Sequence, residues 1–207
     1  MRQRHFIDSH KGATGLFTLA LIAYYNAWDN PLAWLYLAMH GTYGILWIVK
    51  SRTFGDMQWE RRTSLAYGLF IWSGLSLYWV SPWLIASGRS TMPPAWYLGV
   101  CVLLYSFGVF FHFASDMQKH MWLKLRPGQL LTEGLWSKLR NPNYFGELLI
   151  YLGFSLLARS WIPLAALGCF VLFIWVPNML KKDRSLSRYA EFEEYKAKSW
   201  RFIPFVW

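Results

Sequence analysis

A chain of 207 residues that is 55% apolar and 20% aromatic, with only 15% charged residues, is too apolar for an ordinary soluble domain of its size. Its 21 Lys and Arg against 11 Asp and Glu give a net charge of +10, which in a soluble protein would point first to nucleic acid. Cys101 and Cys169 both lie inside apolar runs, which excludes a disulfide framework and a Cys-based zinc site.

A bilayer core takes about 20 consecutive, mainly apolar residues as a helix. Six stretches approach that length: 13–28, 32–49, 64–87, 95–115, 142–158 and 160–178. The first is followed by Trp28-Asp29-Asn30-Pro31 rather than by small residues, so no cleaved signal peptide is expected. Nineteen of the 21 cations fall before the first stretch, between the second and third, between the fourth and fifth, or after the sixth. Only Arg89 and Arg159 are left for the other side. This positive-inside distribution predicts an all-α integral membrane protein with about six transmembrane helices and both termini cytoplasmic. It also gives the +10 a topological meaning, and no nucleic-acid partner is expected. The far-side connections 29–31 and 158–161 are minimal, whereas 116–141 and 179–207 are long, which places the working face in the cytoplasm.

Ionisable groups inside a span are costly unless they face a cavity or a partner. Three positions stand out in chain order. His40 shares a helix stripe with Tyr36, Tyr43 and Trp47, and an imidazole beside two phenols is suited to hydrogen-bond or protonate a substrate carbonyl. Tyr43 and His40 are therefore the candidate catalytic residues, with close packing at Gly41 and Gly44 as the structural alternative. His112 and Asp116 stand at i, i+4 near the end of the fourth stretch, as an ion pair with a neighbour such as Lys119 or as contacts to a ribose or adenine edge. Glu147, the one carboxylate embedded in an apolar helix, follows Asn143 by four residues in a helix that Pro142 is suited to start. It reads either as a partner for Arg140 or as a ligand contact. No GxGxxG, phosphate loop or nucleophile elbow is present, and the five His lack metal-ligand spacing, so no metal is expected.

The last half of the chain carries Leu125-Arg126-Pro127-Gly128, Gly134-Leu135-Trp136, Arg140-Asn141-Pro142-Asn143-Tyr144-Phe145-Gly146-Glu147, Phe192-Glu193-Glu194-Tyr195 and Trp200-Arg201-Phe202-Ile203-Pro204-Phe205. Over roughly 110–207 it resembles the C-terminal domain of the steroid 5-alpha-reductase family and its bacterial relatives of unassigned substrate. It resembles more distantly the sterol C14 reductases and the isoprenylcysteine or phospholipid methyltransferases of the same superfamily. The Arg-x-Pro-x-Tyr-x-Gly core is common to both enzyme types. The fuller Asn143-Tyr144-x-Gly146-Glu147 string resembles the reductases, and Lys181-Lys182-Asp183-Arg184 stands where methyltransferases of prenylated Cys carry a Glu-Glu pair.

The resemblance implies an NADPH-dependent reductase acting on a carbon-carbon double bond conjugated to a carbonyl in a lipophilic, steroid- or isoprenoid-like substrate that enters from the membrane. It implies a dinucleotide pocket lined by Asp116, Arg126, Asn143, Glu147 and one of Lys182 or Arg184, with His112 and Tyr144 beside them. Arg126, Arg140, Lys182 and Arg184 supply the cations that phosphates need. Residues 1–109 then form the substrate side and 110–207 the cofactor side of a single membrane domain in a bacterial inner membrane. The N-terminal half departs from the animal steroid reductases, for it lacks their Gln-Glu pair and has one helix fewer. An S-adenosylmethionine-dependent methyltransferase acting on a lipid or prenylated substrate is the second reading, and a lipid-binding helical scaffold the third.

Overall fold

The computed structural model describes residues 1–207. The regular elements are all helices, without strands, and two isolated bridges pair Arg2 with Arg62 and Leu139 with Trp200. Two compact units are present: Met1–Tyr105 with Leu152–Ala166, and Ser106–Tyr151 with Leu167–Trp207.

The first unit is organised by helix α1 (Gln3–Tyr24) against α2 (Pro31–Thr53). Asn30 starts α2 by accepting hydrogen bonds from the backbone N–H of Leu32 (3.0 Å) and Ala33 (3.4 Å), and Pro31 fills the first helical position. The two helices cross at small residues. A Cβ on Gly44 would collide with the Lys11 carbonyl, and one on Gly15 would lie 3.6 Å from the Gly41 Cα. Such spacing lets backbones approach closely in a bilayer, where apolar burial alone does not drive helices together.

The apolar stretch 64–87 is not one uniform helix. Ser64 caps α3 (Leu65–Ser76) through the Tyr67 N–H at 3.2 Å, a 3-10 turn covers Leu77–Trp79, and α4 (Val80–Ala86) completes the run. Pro82 lacks the N–H that would bond to the carbonyl four residues back. That carbonyl, on Tyr78, accepts instead from a backbone N–H at the end of the 3-10 turn and, more weakly, from the Tyr36 hydroxyl at 3.4 Å.

In the second unit, α5 (Ala95–Leu125), of which Ser106 onward belongs here, runs ten residues beyond the apolar stretch that announces it. Part of the expected cytoplasmic segment 116–141 is therefore helix. The N-terminal part of α6 (Pro142–Leu157) packs on it, where a Cβ on Gly108 would sit 2.6 Å from the Ile150 nitrogen and one on Gly146 would strike the His112 backbone. Helix α7 (Trp161–Phe170) continues through a π-helical segment, Val171–Trp175, into α8 (Val176–Leu186). Pro177 removes the donor that would close a bond to the Phe173 carbonyl, a usual setting for such a wider turn. Lys181, Lys182 and Arg184 accordingly sit on a helix and not in a loose tail. A short α9 (Phe192–Ala197) follows.

Four helical runs are long and apolar enough to cross a membrane: Pro31–Thr53, Leu65–Ala86, Ala95–Leu125 and Trp161–Leu186. Helix α1 carries Asp8, His10 and Lys11 in its first half, and α6 has only 16 residues, roughly 24 Å. Outward Leu65, Phe70, Phe107, Phe110, Leu172 and Phe173 are all exposed, as suits a lipid-facing surface.

The helix crossings give a direct test. Gly44→Ala is expected to destabilise the protein by about 1–3 kcal/mol. Gly99→Ala, on α5 with nothing near its would-be Cβ, should be neutral or stabilising by up to about 1 kcal/mol. Melting midpoints of the two variants in detergent decide; equal effects would remove close approach as the reason for Gly44.

Candidate functional site

In the second unit the crossing at Gly108 and Gly146 lays the middle of α5 against the first turns of α6. His112 and Asp116, one turn apart on α5, are both buried. The His112 Nδ1 lies 3.1 Å from the Asn143 carbonyl, so it carries the proton and donates, while Nε2 is 4.0 Å from an Asp116 carboxylate oxygen. Asn143 and Glu147 share one face of α6. The Asn143 Oδ1 is buried and has no donor from the protein. Tyr144, half-buried, packs its ring 5.6 Å from that of Trp175 in the π-helical segment.

The loop before α6 is held by its own network. The Trp136 indole N–H donates to the Ser115 carbonyl at 3.0 Å, and the Tyr195 hydroxyl donates to the Trp136 carbonyl. Burial pushes the Tyr195 phenol well above its ordinary value, so the hydroxyl keeps its proton at any physiological pH. Arg140 is buried, with its guanidinium on the Ser199 carbonyl (2.5 Å), the Lys196 carbonyl (3.2 Å) and, through Nε, Asp183 at 3.4 Å. Asp183 also takes the Arg201 Nε–H at 2.8 Å. Lys182 donates to the Arg140 carbonyl (2.7 Å) and to Asn141 Oδ1 (3.0 Å), and its ammonium lies over the Trp136 ring. Arg140 and Lys182 thus tie the 136–141 loop to α8 and the C-terminal segment. By contrast Arg126 is exposed, pairing with Glu133 at 3.0 Å and stacking on Trp122, and Arg184 is exposed on α8.

In the first unit Tyr36, His40 and Tyr43 are almost completely buried. The Tyr36 hydroxyl is 2.7 Å from His40 Nδ1, and Phe154 stacks on the imidazole at 4.1 Å. Lys11, itself only 3% exposed, reaches the Tyr43 hydroxyl at 3.3 Å and lies 4.3 Å above that ring and 5.0 Å from the Trp47 ring. Trp47 donates to Asp8 at 3.1 Å, and Lys50 pairs with Asp56 at 3.2 Å. Around these groups a small concavity is lined by Arg4, Asp8, Lys50, Ser51, Trp59 and Glu60, among others. No group of His, Cys, Asp or Glu is arranged to hold a metal ion.

Several of these residues are not singled out by motif or spacing. Lys11 reads as one of the cytoplasmic cations; its signal is its place two turns inside a helix whose other face is apolar. Asp183 is the lone acid within a run of cations, a position that marks it as their counter-charge. Asn141 is masked by its neighbour Asn143, although it is the more buried and bridges Lys182 to the Arg201 carbonyl at 2.8 Å.

The fold and its polar clusters define an all-α membrane protein with buried side-chain networks in both units. The chain belongs to the family described as protein of unknown function (DUF1295), whose model matches residues 16–199. It is also similar to the Delta(14)-sterol reductase of Methylotuvimicrobium alcaliphilum, 26% identical over 181 residues, covering 78% of this chain and 40% of that protein. A second similar protein is the Delta(14)-sterol reductase of Arabidopsis thaliana, 26% identical over 160 residues, covering 69% and 42%. The chain spans about two fifths of the length of these curated relatives.

Asp183→Ala should leave the buried guanidinium of Arg140 and the partly exposed one of Arg201 without their carboxylate and cost about 3–5 kcal/mol. Glu133→Ala, which breaks an exposed pair, should cost about 1 kcal/mol or less. Detergent melting curves of the two variants compare them; equal losses would show that Asp183 is not the central counter-ion.

Proposed function

We propose that this protein is an NADPH-dependent membrane reductase that saturates a carbon-carbon double bond conjugated to a carbonyl in a lipophilic, steroid- or isoprenoid-like substrate. The observation that carries the reading is the buried, donor-less Oδ1 of Asn143, set beside His112 and Asp116 in the motif that resembles the reductases. A buried acceptor is satisfied by a ligand that brings N–H or O–H groups, as a dinucleotide does. The similarity to two Delta(14)-sterol reductases supports the same class of reaction. Six spans with both termini and the dinucleotide site in the cytoplasm of a bacterial inner membrane complete the proposal, on the strength of the charge distribution.

Bound NADPH supplies a hydride. Asn143, Glu147, Asp116, His112 and Tyr144 hold its polar groups, and exposed Arg126 and Arg184 face its phosphates. Arg140 and Lys182 contribute by fixing the loop and α8 in place, since their donors already meet carbonyls, Asn141 and Asp183. Residues 1–109 form the substrate side. There Tyr43 and His40 hydrogen-bond the carbonyl oxygen and stabilise the negative charge that grows on it, with Lys11 holding the Tyr43 oxygen. The apolar surroundings of these groups exclude water from that charge.

Ligand-dependent melting of the detergent-solubilised protein tests the reading, because a ligand bound only by the native state raises its stability. NADPH at 100 times its Kd should add about 2.7 kcal/mol, and Asn143→Ala should abolish the effect. A shift with S-adenosylmethionine and none with NADPH would establish the methyltransferase instead, and silence from both would favour a lipid-binding scaffold. The double variant Arg126→Ala, Arg184→Ala should lose roughly tenfold or more in NADPH affinity while losing less for NADH, as expected when charge-assisted contacts to the extra phosphate are removed. Equal losses would take the 2′-phosphate away from these two arginines.

A further inference from the structure

His10 is the one buried imidazole whose two ring nitrogens both lack a hydrogen-bond partner. It lies on α1, 2% exposed, and is enclosed by aromatic rings. Trp79 stacks on it at 4.8 Å, Trp72 meets it edge-on at 5.0 Å, and Phe17 stacks on Trp79 at 4.0 Å. The polar edge of Trp79 is already satisfied, for its N–H donates to Thr14 Oγ1 at 3.0 Å, and the Thr14 hydroxyl donates in turn to the His10 carbonyl at 2.9 Å. The Trp79 and Thr14 edge of this aromatic box is therefore satisfied within the chain, and the two nitrogens at its centre are not. An imidazole always carries at least one N–H, and π-faces and hydrocarbon do not repay the hydration it loses on burial.

The helix beside the box, α3, is thinly packed. Of the twelve residues of α3 only Gly68 is buried, where the ring of Phe6 occupies the space of a side chain. Trp72 and Trp79 are only half-buried, and the outer face of α3 is apolar. A molecule dissolved in the bilayer thus has to displace only the Trp72 side of the box to bring an oxygen to His10. The box itself offers flat apolar walls and one neutral polar group, which selects a lipophile with an isolated hydroxyl or carbonyl. A carboxylate or phosphate would lose its hydration there for a single neutral partner.

We propose that His10 anchors the oxygen of such a lipophile, seated between α1 and α3 against Trp72, Trp79 and Phe17. This rests on the reading of the protein as an enzyme of lipophilic carbonyl compounds, in that the lipophile is its substrate and the anchored oxygen is a second one, distinct from the conjugated carbonyl that Tyr43 and His40 address. Lys11, the next residue along α1, carries the ammonium that holds Tyr43, so the anchored oxygen and the candidate catalytic phenol are addressed from the same turn of helix.

The test uses the full chain in phosphatidylcholine nanodiscs and reads melting midpoints with two matched probe pairs. These are farnesol against farnesene, and 5α-androstan-17β-ol against 5α-androstane. At least one oxygenated probe should raise the midpoint by roughly 2–4 °C and its hydrocarbon partner should not. His10→Phe should melt higher than the parent without ligand, because two unsatisfied buried polar atoms are gone, and should lose the probe-dependent shift. His10→Gln, which keeps a donor and an acceptor, should retain it. Oxygenated probes that act no better than hydrocarbons, a shift undiminished in His10→Phe, or a ligand-free His10→Phe that melts lower than the parent would each overturn the proposal. An NADPH effect that is absent while the His10-dependent shift is present would defeat the reductase reading and leave the anchor standing.

Discussion

Close approach of helices at glycine is the constraint on which the polar chemistry of this chain depends. Where the backbones of α5 and α6 meet at Gly108 and Gly146, the side chain of His112 is brought within hydrogen-bonding distance of the Asn143 carbonyl. A methyl group at either glycine would push the helices apart by more than that bond tolerates. The crossing of α1 and α2 works in the same way. Gly44 makes room for the Lys11 carbonyl, and the Lys11 side chain then finds the hydroxyl and ring of Tyr43. In both units the glycine contributes no chemistry and still decides which polar groups meet.

Proline supplies the complementary device. In an apolar helix each missing N–H strands one carbonyl, and inside a membrane protein that carbonyl needs another donor. Pro82 removes the helical donor of the Tyr78 carbonyl, which is met instead by a backbone N–H of the 3-10 turn and by the Tyr36 hydroxyl, the oxygen that also lies against His40. Pro177 interrupts the ladder near the π-helical segment that sets Trp175 against Tyr144 and Tyr151. The helix irregularities therefore coincide with the aromatic and polar clusters because each one releases a backbone group or turns a ring.

How far this was legible in the sequence follows from the range of the forces concerned. Apolar runs depend on composition alone, and every one of them is helical. The Asn143-Tyr144-x-Gly146-Glu147 string was legible as a motif, and Gly41 and Gly44 as a packing surface. The break within 64–87 was not, because Pro82 inside an apolar run is compatible with a kink, a turn or a continuous helix until the donor for Tyr78 is known. The extension of α5 past residue 115 was hidden by Asp116, Lys119 and Lys124, polar residues that end an apolar run without ending a helix. Burial of Lys11 was hidden for a similar reason. A lysine near the start of a span is expected to reach the interface with its long stem, and only the crossing with α2 turns it inward onto Tyr43 and Trp47.

The net charge of +10 shows how placement alters meaning. Counted along the chain, the cations follow the positive-inside pattern expected of a membrane topology. Their surroundings in the fold divide them further. Lys11, Lys50 and Arg140 are buried, each against partners that the chain itself supplies: the Tyr43 oxygen and ring, Asp56, and Asp183 with the Ser199 carbonyl. Such groups are already desolvated and compensated, so turning them toward a phosphate would expose the partners they leave. Arg126 and Arg184 are exposed and retain most of their hydration, and a guanidinium in that state can exchange water for phosphate at small cost. A polyanionic partner would need a broad field of such cations. A small ligand needs only a few of them beside a buried, directional acceptor, the part that the proposed function gives to the side-chain oxygen of Asn143.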